Sequence, residues 1–424
     1  MVIVAKDGRQ FTMPTSNVDS ITFLPANQVI DLPEIGHSDT IVIEQPNPNS
    51  YSLPECTNVI MIPIVGQSLS LGSASVPVLT TANKYNTGLM FEGGVRFSNN
   101  RSQFVPLVEM KGSPTNDSAN TGETVASGCV EGFVEALSHD MGIDVYDDYW
   151  QSHQLMFVTC GSGSKTIQQI IDTYIPTQLI PSIQSAKQIC DTNGWSISVP
   201  AIIYMQGETD QKQNIAKDIY KELLQRLQFV CDSIATEVLN EEQNTKVILY
   251  QIASQNIVGQ PTTPNFTSSA MNVPTAQMEV IRDDDKFLAS APVYILDHSL
   301  AEPIHLSAEG ERLLGFYCGK TLADLLFRSK HQKGVMPYHV YAKGNKAIVE
   351  YNVEYPPLRT DTTWVSSVSN LGFTILNSLG TNILSSVNVN ETQVVIECTQ
   401  SPMNAHLFYA FNGTRGKDGR QQGS

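Results

Sequence analysis

The stretch Val59-Ile-Met-Ile-Pro-Ile-Val-Gly-Gln-Ser-Leu-Ser-Leu-Gly72 decides how this chain is read. From Val59 to Val65 the residues are mostly β-branched or aliphatic, and the run is too short for a core helix, so it predicts a buried strand. Gly66, Gln67 and Ser68 then let the backbone turn sharply. A serine there stands at the carboxyl end of a parallel strand, where open α/β sheets place their ligands. Taken alone, these residues are no more than a strand and a polar turn.

Working outward from that strand, strands alternate with helices. Ser127 to Asp140 carries Val130, Phe133, Val134 and Leu137 at helical spacing. Leu155 to Thr159 and Ala201 to Met205 predict further buried strands, as do Val247 to Tyr250 and Val293 to Leu296. Helices are expected over Ile180 to Cys190, Ile215 to Ile234 and Ala308 to Leu326. Such alternation implies a three-layer α/β domain with a mostly parallel sheet covered on both faces.

The flanks differ. Residues 1–55 are β-rich, with Asp7-Gly8 as a hairpin turn and Gln45-Pro-Asn-Pro-Asn-Ser50 as a linker, and read as a lead-in or docking segment. The α/β domain is assigned to residues 56–330. Residues 331–424 carry short strands at His339, Lys346 to Tyr351, Val394 to Cys398 and His406 to Phe411, which suggest a small β-sandwich. Its polar tail has Gly413, Gly416 and Gly419 at triplet spacing, too few for a triple helix. The pentapeptide Lys-Asp-Gly-Arg-Gln occurs at both Lys6 and Lys417, a repeat that a shared turn preference explains.

At 424 residues the chain has room for two or three domains and a full core. Hydrophobic content of 41% with 16% charged residues is that of a globular protein. A net charge of −16 argues against a nucleic-acid partner and against anionic lipid. Seven cysteines without paired spacing form neither a zinc pattern nor a disulfide framework, and their apolar surroundings predict buried free thiols. The N-terminus shows no signal-peptide pattern, and no apolar run approaches the ~18 residues of a membrane span.

Chemistry concentrates where strands end. Cys160-Gly-Ser-Gly-Ser-Lys-Thr166 follows the second strand, Gln206-Gly-Glu-Thr-Asp210 the third, and Asp297 to Gly310 the last. Parallel strands bring their carboxyl ends to one edge, so these segments should converge on Ser68. A serine hydroxyl needs a base, and an imidazole suits neutral pH, which makes His305 the candidate, with Glu302 three residues earlier able to hold its other nitrogen. Developing negative charge on a carbonyl oxygen needs fixed donors, which the Ser68 and Gly163 N–H groups and the Gln206 amide could supply. His298 lacks an acid three residues before it and reads as structural or substrate-facing.

Gly66-Gln-Ser68, Gly163, Gln206-Gly-Glu208 and Glu302-x-x-His305, in that order, resemble the four blocks of the SGNH/GDSL hydrolase superfamily. The Gln-Gly-Glu-Thr-Asp form is similar to its carbohydrate acetylesterase branch, which includes sialate O-acetylesterases and acetylxylan esterases. Phe104-Val-Pro-Leu-Val-Glu109 and Gly122-Glu-Thr124 add to that likeness, which covers roughly Val59 to Leu326. The resemblance implies a flavodoxin-like SGNH fold and a serine esterase that removes O-acetyl groups from carbohydrate, with no cofactor and no metal. It makes Ser68 the nucleophile, His305 the base and Glu302 the orienting acid, with Ser68, Gly163 and Gln206 as the oxyanion hole. Gln67, Glu208, Asp210 and Asp297 would support them.

Three departures stand out. Leu69 occupies the position of an asparagine in many acetylesterases. Glu302 replaces the usual aspartate, leaving Asp297 or Glu208 as alternative orienting acids. Gly161 competes with Gly163 in the second block. The competing reading is a non-catalytic glycan-binding or structural protein on the same scaffold, and a lipid-type esterase of the same superfamily is a third. A phosphate-binding loop at Gly161 to Thr166 lacks the required glycines, and Ser162-x-x-Lys165 lacks the partner motifs of a penicillin-binding site. The expected partner is an acetylated glycan, with a homo-oligomer or assembly into a phage virion (as a tail spike) as further expectations. A bacterial cytoplasmic enzyme is the alternative location.

Overall fold

The computed structural model describes residues 58–85, 87–112, 121–143, 153–253, 271–300, 302, 304–361 and 367–410, with four short strands outside them. Strand β1 (Asn58–Gly66) is buried from Met61 to its end and lies in the middle of an eight-stranded sheet. The others are β2 (Gly88–Phe91), β3 (Phe104–Pro106), β4 (His153–Gly161), β5 (Ser196–Ser198), β6 (Ala201–Met205), β7 (Lys246–Gln251) and β8 (Phe287–Pro292). The order is β8-β7-β6-β1-β4-β2-β3, with β5 beside the start of β1. All pairings are parallel except that of β2 with β3.

Helices cover both faces. On one face α1 (Val125–Glu135) packs against α6 (Ala308–Arg328), and on the other α4 (Lys217–Leu239) packs against α2 (Ile180–Asn193) and α5 (Asn272–Asp283). A single turn, α3 (Glu208–Lys212), follows β6. The residues of α4 that face the sheet (Tyr220, Leu224, Leu227, Cys231, Ala235) recur at helical spacing, so one stripe carries its burial.

The α1–α6 contact is of a different kind. Gly128 and Gly132 of α1 lie against backbone of α6, and Gly315 and Gly319 of α6 against backbone of α1. A methyl group at Gly132 would fall on the Phe316 carbonyl oxygen, so only glycine permits this approach.

Beyond α6 a four-stranded antiparallel sheet has the order β9-β10-β13-β12, from β9 (Met336–Lys343), β10 (Lys346–Asn352), β12 (Leu384–Asn390) and β13 (Gln393–Cys398). A two-stranded sheet of β11 (Phe373–Leu376) and β14 (His406–Tyr409) accompanies it. Val349, Phe373, Ile375, Val394 and Ile396 make a small core of their own.

Some expectations need correction. The strand expected over Val293 to Leu296 is a short turn, Val293–Ile295, and the strand precedes it as β8. Pro292 closes β8 because it has no N–H for the ladder, while Val293 stays apolar because it is buried in the turn. Helix α2 starts at Ile180 but continues a helical run already begun at Ile167–Gln169 and Ile170–Leu179, the latter with wider turns around Pro176. Helix α5 was not expected at all.

At the N-terminus Val2–Val4 pairs with Gln10–Thr12, and near the C-terminus Thr414–Arg415 pairs with Gln421–Gln422. The Asp7-Gly8 turn, the linker at 45–50, Cys56 and the glycine triplets lie outside the described residues. The other six cysteines are free and buried. No helix among the described residues is long and apolar enough to cross a membrane.

Gly132→Ala should destabilise the chain by about 1–3 kcal/mol, because the helices must separate to admit a methyl group. An unchanged urea midpoint would disprove the backbone contact.

Candidate active site

The ends of β1, β4 and β6 lie side by side, with Gly66 opposite both Gly161 and Met205. A β-carbon at Gly66 would strike the Met205 carbonyl, and one at Gly161 would strike the Gly66 carbonyl. Beyond this edge Gln67 N–H still bonds the Met205 carbonyl at 3.0 Å. The chain then folds into the tight turn Leu69–Leu71, and the Ser68 carbonyl accepts from Leu71 and Ser73, both at 3.1 Å. The Ser68 side chain is thereby held over the sheet edge.

His305 arrives from the opposite side, on the loop between β8 and α6. Ser299 N–H bonds the His305 carbonyl at 2.8 Å, and Ser307 N–H bonds the Asp297 carbonyl at 2.9 Å. Ser307 also caps α6 by accepting from Gly310 N–H. This closed loop brings His305 Nε2 to 2.8 Å from Ser68 Oγ.

Glu302 Oε2 lies 2.9 Å from His305 Nδ1, a close contact that is not a well-aligned hydrogen bond. Burial lowers the His305 pKa below its ordinary 6.5, and the Glu302 carboxylate opposes that without overcoming it. The imidazole is therefore neutral at neutral pH, as a base must be.

The other candidates separate clearly. Gly161 has its N–H committed to Gln178 Oε1 at 2.6 Å. Gly163 is open toward Ser68, since a β-carbon there would sit 3.7 Å from Ser68 Cβ. Neither Ser68 nor Gly163 donates its N–H to a backbone carbonyl among the described residues. Glu208 bonds the Tyr250 hydroxyl at 2.9 and 3.0 Å. Asp297 contributes its backbone carbonyl to the loop closure. His298 Nε2 meets the Val293 carbonyl at 3.1 Å, a structural contact. Gln67 is buried beside the turn that carries Ser68.

The expectation for Gln206 needs correction. Its amide nitrogen donates to the Lys165 carbonyl at 3.0 Å and to Asp210 Oδ2, while Oε1 accepts from the hydroxyls of Tyr204 and Tyr220. Both amide protons are committed, so in this arrangement none is left for an oxyanion. Gln206 instead ties the end of β6 to the loop that carries Gly163. Asp210 reinforces the tie by accepting from Ile167 N–H at 2.9 Å. Gly207, with φ +153°, makes the bend between Gln206 and α3, and a side chain there would meet Ile252, Val273 and Gln277.

Sequence reasoning missed Tyr220, Tyr250, Gln277 and Arg96. Tyr220, Tyr250 and Gln277 sit in ordinary elements and Arg96 in a loop, and no local pattern marks any of them.

No family model matches the chain, and no curated protein matches it. Among solved structures, a carbohydrate acetylesterase from Xanthomonas citri aligns over 86% of this chain and 79% of its own, with 12% identity and a TM-score of 0.50. A protein from Arabidopsis thaliana aligns over 63% of this chain and 97% of its own, with 13% identity and a TM-score of 0.41. NanS aligns over 66% and 100%, with 12% identity and a TM-score of 0.41. At such identity the likeness to the Xanthomonas structure is one of fold. The fold is of the SGNH-hydrolase type.

Burial raises the Glu208 carboxyl to about 7, against the hydrogen bond from Tyr250. An unfolded carboxyl loses its proton near 4.5 while the folded one keeps it to about 7, so stability from this group is lost as pH rises through that window. Glu208→Gln, which keeps an acceptor for Tyr250, should flatten the fall in stability between about pH 5 and 8 by on the order of 3 kcal/mol. Denaturant titrations of both proteins across that range check this, and identical slopes would refute it.

Proposed function

We propose that the chain is a serine esterase that removes O-acetyl groups from carbohydrate through an acyl-serine intermediate. The observation that carries this reading is the 2.8 Å contact between Ser68 Oγ and His305 Nε2, made by residues from distant parts of the chain. Hydrogen-bond reach between a hydroxyl and a neutral imidazole is the geometry of an activated nucleophile.

Ser68 Oγ attacks the acetyl carbonyl while its proton passes to His305 Nε2. The tetrahedral oxyanion is met by the N–H groups of Ser68 and Gly163, each such donor contributing about 3 kcal/mol to transition-state stabilisation. Protonated His305 then gives its proton to the departing sugar oxygen. Water, deprotonated by the same imidazole, attacks the acetyl-serine, and His305 returns that proton to Ser68 Oγ as acetate leaves. Glu302 favours the tautomer with the proton on Nδ1, leaving Nε2 free to accept.

The carbohydrate part of the reading rests on the Gln206-Gly-Glu-Thr-Asp210 pattern and on the fold shared with the Xanthomonas acetylesterase. A panel of O-acetylated glycans, scored by acetate release, tests it. Activity on 4-nitrophenyl esters that grows with acyl length would favour a lipid-type substrate instead.

Ser68→Ala and His305→Ala should each lower kcat on 4-nitrophenyl acetate by at least about 1,000-fold while leaving the fold intact. Full activity in either variant refutes the mechanism. Because burial depresses the His305 pKa, the acidic limb of kcat/KM should lie below the ordinary imidazole value. Glu302→Gln should move that limb to still lower pH, since the carboxylate raises the pKa. A limb that moves upward would show that Glu302 is not the partner of the base.

A further inference from the structure

Arg96 is a buried cation that the mechanism above does not use, and it is only 8% exposed. Its main chain is anchored to β4: Thr159 N–H bonds the Val95 carbonyl at 2.7 Å and Phe97 N–H bonds the Thr159 carbonyl at 3.1 Å. Thr159 lies two residues before Gly161, so Arg96 is fixed to the strand that leads to Gly163.

Its side chain reaches the other way. Nε donates to the Leu71 carbonyl at 2.8 Å, and Leu71 ends the turn that begins after Ser68. Nη1 donates to the carbonyls of Met110 and Gly112, both at 2.9 Å, and Nη2 to that of Gly122. Those three carbonyls belong to two short pieces, residues 110–112 and 121–122, that form a strap over the same turn, because Gly112 N–H bonds the Thr121 carbonyl at 3.0 Å, Gly122 N–H bonds the Gly72 carbonyl at 2.9 Å and Ser73 bridges Thr121. One guanidinium therefore satisfies four backbone carbonyls, three of them on the strap and one on the serine turn. Five N–H donors in a rigid plane can do this, whereas an ammonium presents three from a single point.

Buried carboxyl groups lie near the guanidinium as well. Glu109, Glu123 and Glu311 surround it, all buried. Glu123 accepts from the N–H groups of Leu79 and Thr80 and from the Thr80 hydroxyl. Glu109 accepts from Thr124 and Ser127. Glu311 stands in the first turn of α6, just after the loop of His305.

We propose that Arg96 is a positioning residue that locks the turn carrying Ser68 to β4, and so fixes the nucleophile relative to Gly163. This rests on Ser68 being the nucleophile. Arg96 touches no reacting atom, so its loss should act on the chemical step and not on substrate binding.

The test is Arg96→Lys in the full chain, which keeps a positive charge among the three buried glutamates and removes the fork. Activity on 4-nitrophenyl acetate should show kcat lower by at least about tenfold with KM within twofold. Amide hydrogen exchange at Leu71, Gly72, Ser73, Gly112 and Gly122 should accelerate by at least about tenfold while β1 and β6 keep their protection. A folded Arg96→Lys protein with unchanged exchange at those amides and unchanged kcat overturns the proposal. Should this variant fail to fold, the unaltered protein still decides. Its Gly72 and Gly122 amides must then exchange as slowly as those of β1, and prior local opening there overturns the clamp. If the unaltered chain hydrolyses no ester and Ser68 resists a phosphonate reagent, the nucleophile assignment has failed, while the exchange measurements still judge the clamp on their own.

Discussion

Three strand ends occupy a space that has no room for a β-carbon. Gly66 lies against the Met205 carbonyl on one side, and Gly161 lies against the Gly66 carbonyl on the other. Everything at the site depends on that spacing. Because the strands approach so closely, the segments after β1, β4 and β6 leave the sheet within hydrogen-bond reach of one another. Ser68, Gly163 and Gln206 are therefore placed by the sheet itself and not by long loops that would have to be ordered separately. His305 sits on the short loop that leads into α6, a second rigid element whose own position is fixed by glycine-to-backbone contact with α1. The serine–histidine contact is thus a contact between two stiff bodies.

Under that contact lies a polar scaffold. Gln206 uses both amide protons and its carbonyl oxygen, and Gln277 bonds both the Gln206 carbonyl and Ile252 N–H. A network with its members satisfied is rigid, and in a low-dielectric interior each bond strengthens the others. The buried carboxyls work against stability. Burial holds Glu109 and Glu208 to about 7 and pushes Glu311 well above the usual range. Replacing them with apolar side chains would relieve that burden. It would also remove the acceptor for Tyr250 and the Glu109 oxygen that holds Thr124 and Ser127. Stability is given up here for placement.

What could be read from the residues follows from how far each constraint reaches. Val59 to Val65, Leu155 to Thr159 and Ala201 to Met205 are continuous apolar runs, and a buried parallel strand leaves that mark whatever its neighbours are. The sheet and the loops that bear Ser68 and His305 were legible for that reason. The strand Phe287–Pro292 was not, because Ala289, Ser290 and Ala291 are weak strand formers held in place by their pairing with β7. Gln206 looked like a free donor since two of its partners, Lys165 and Tyr220, are brought to it by tertiary structure, and the turn that swings nearby Asp210 onto its amide carries no mark in residue type. Arg96 was invisible for the same cause: its four carbonyl acceptors are backbone atoms, which leave no trace in side-chain identity.

The placement of Glu302 then bears on the role proposed for it. Its side chain is 45% exposed and meets Nδ1 without a well-aligned hydrogen bond, so it holds the ring weakly. The ring is instead placed by its own main chain, through the His305 carbonyl to Ser299 and the His305 N–H to the Glu302 carbonyl. Burial outweighs the carboxylate in setting the pKa of the imidazole. An acid that neither places the base nor dominates its pKa can still choose its tautomer, since a carboxylate beside Nδ1 makes protonation there favourable and leaves Nε2 as acceptor. A longer glutamate in place of an aspartate suffices for that task, because tautomer choice needs a nearby negative charge and not a fixed geometry.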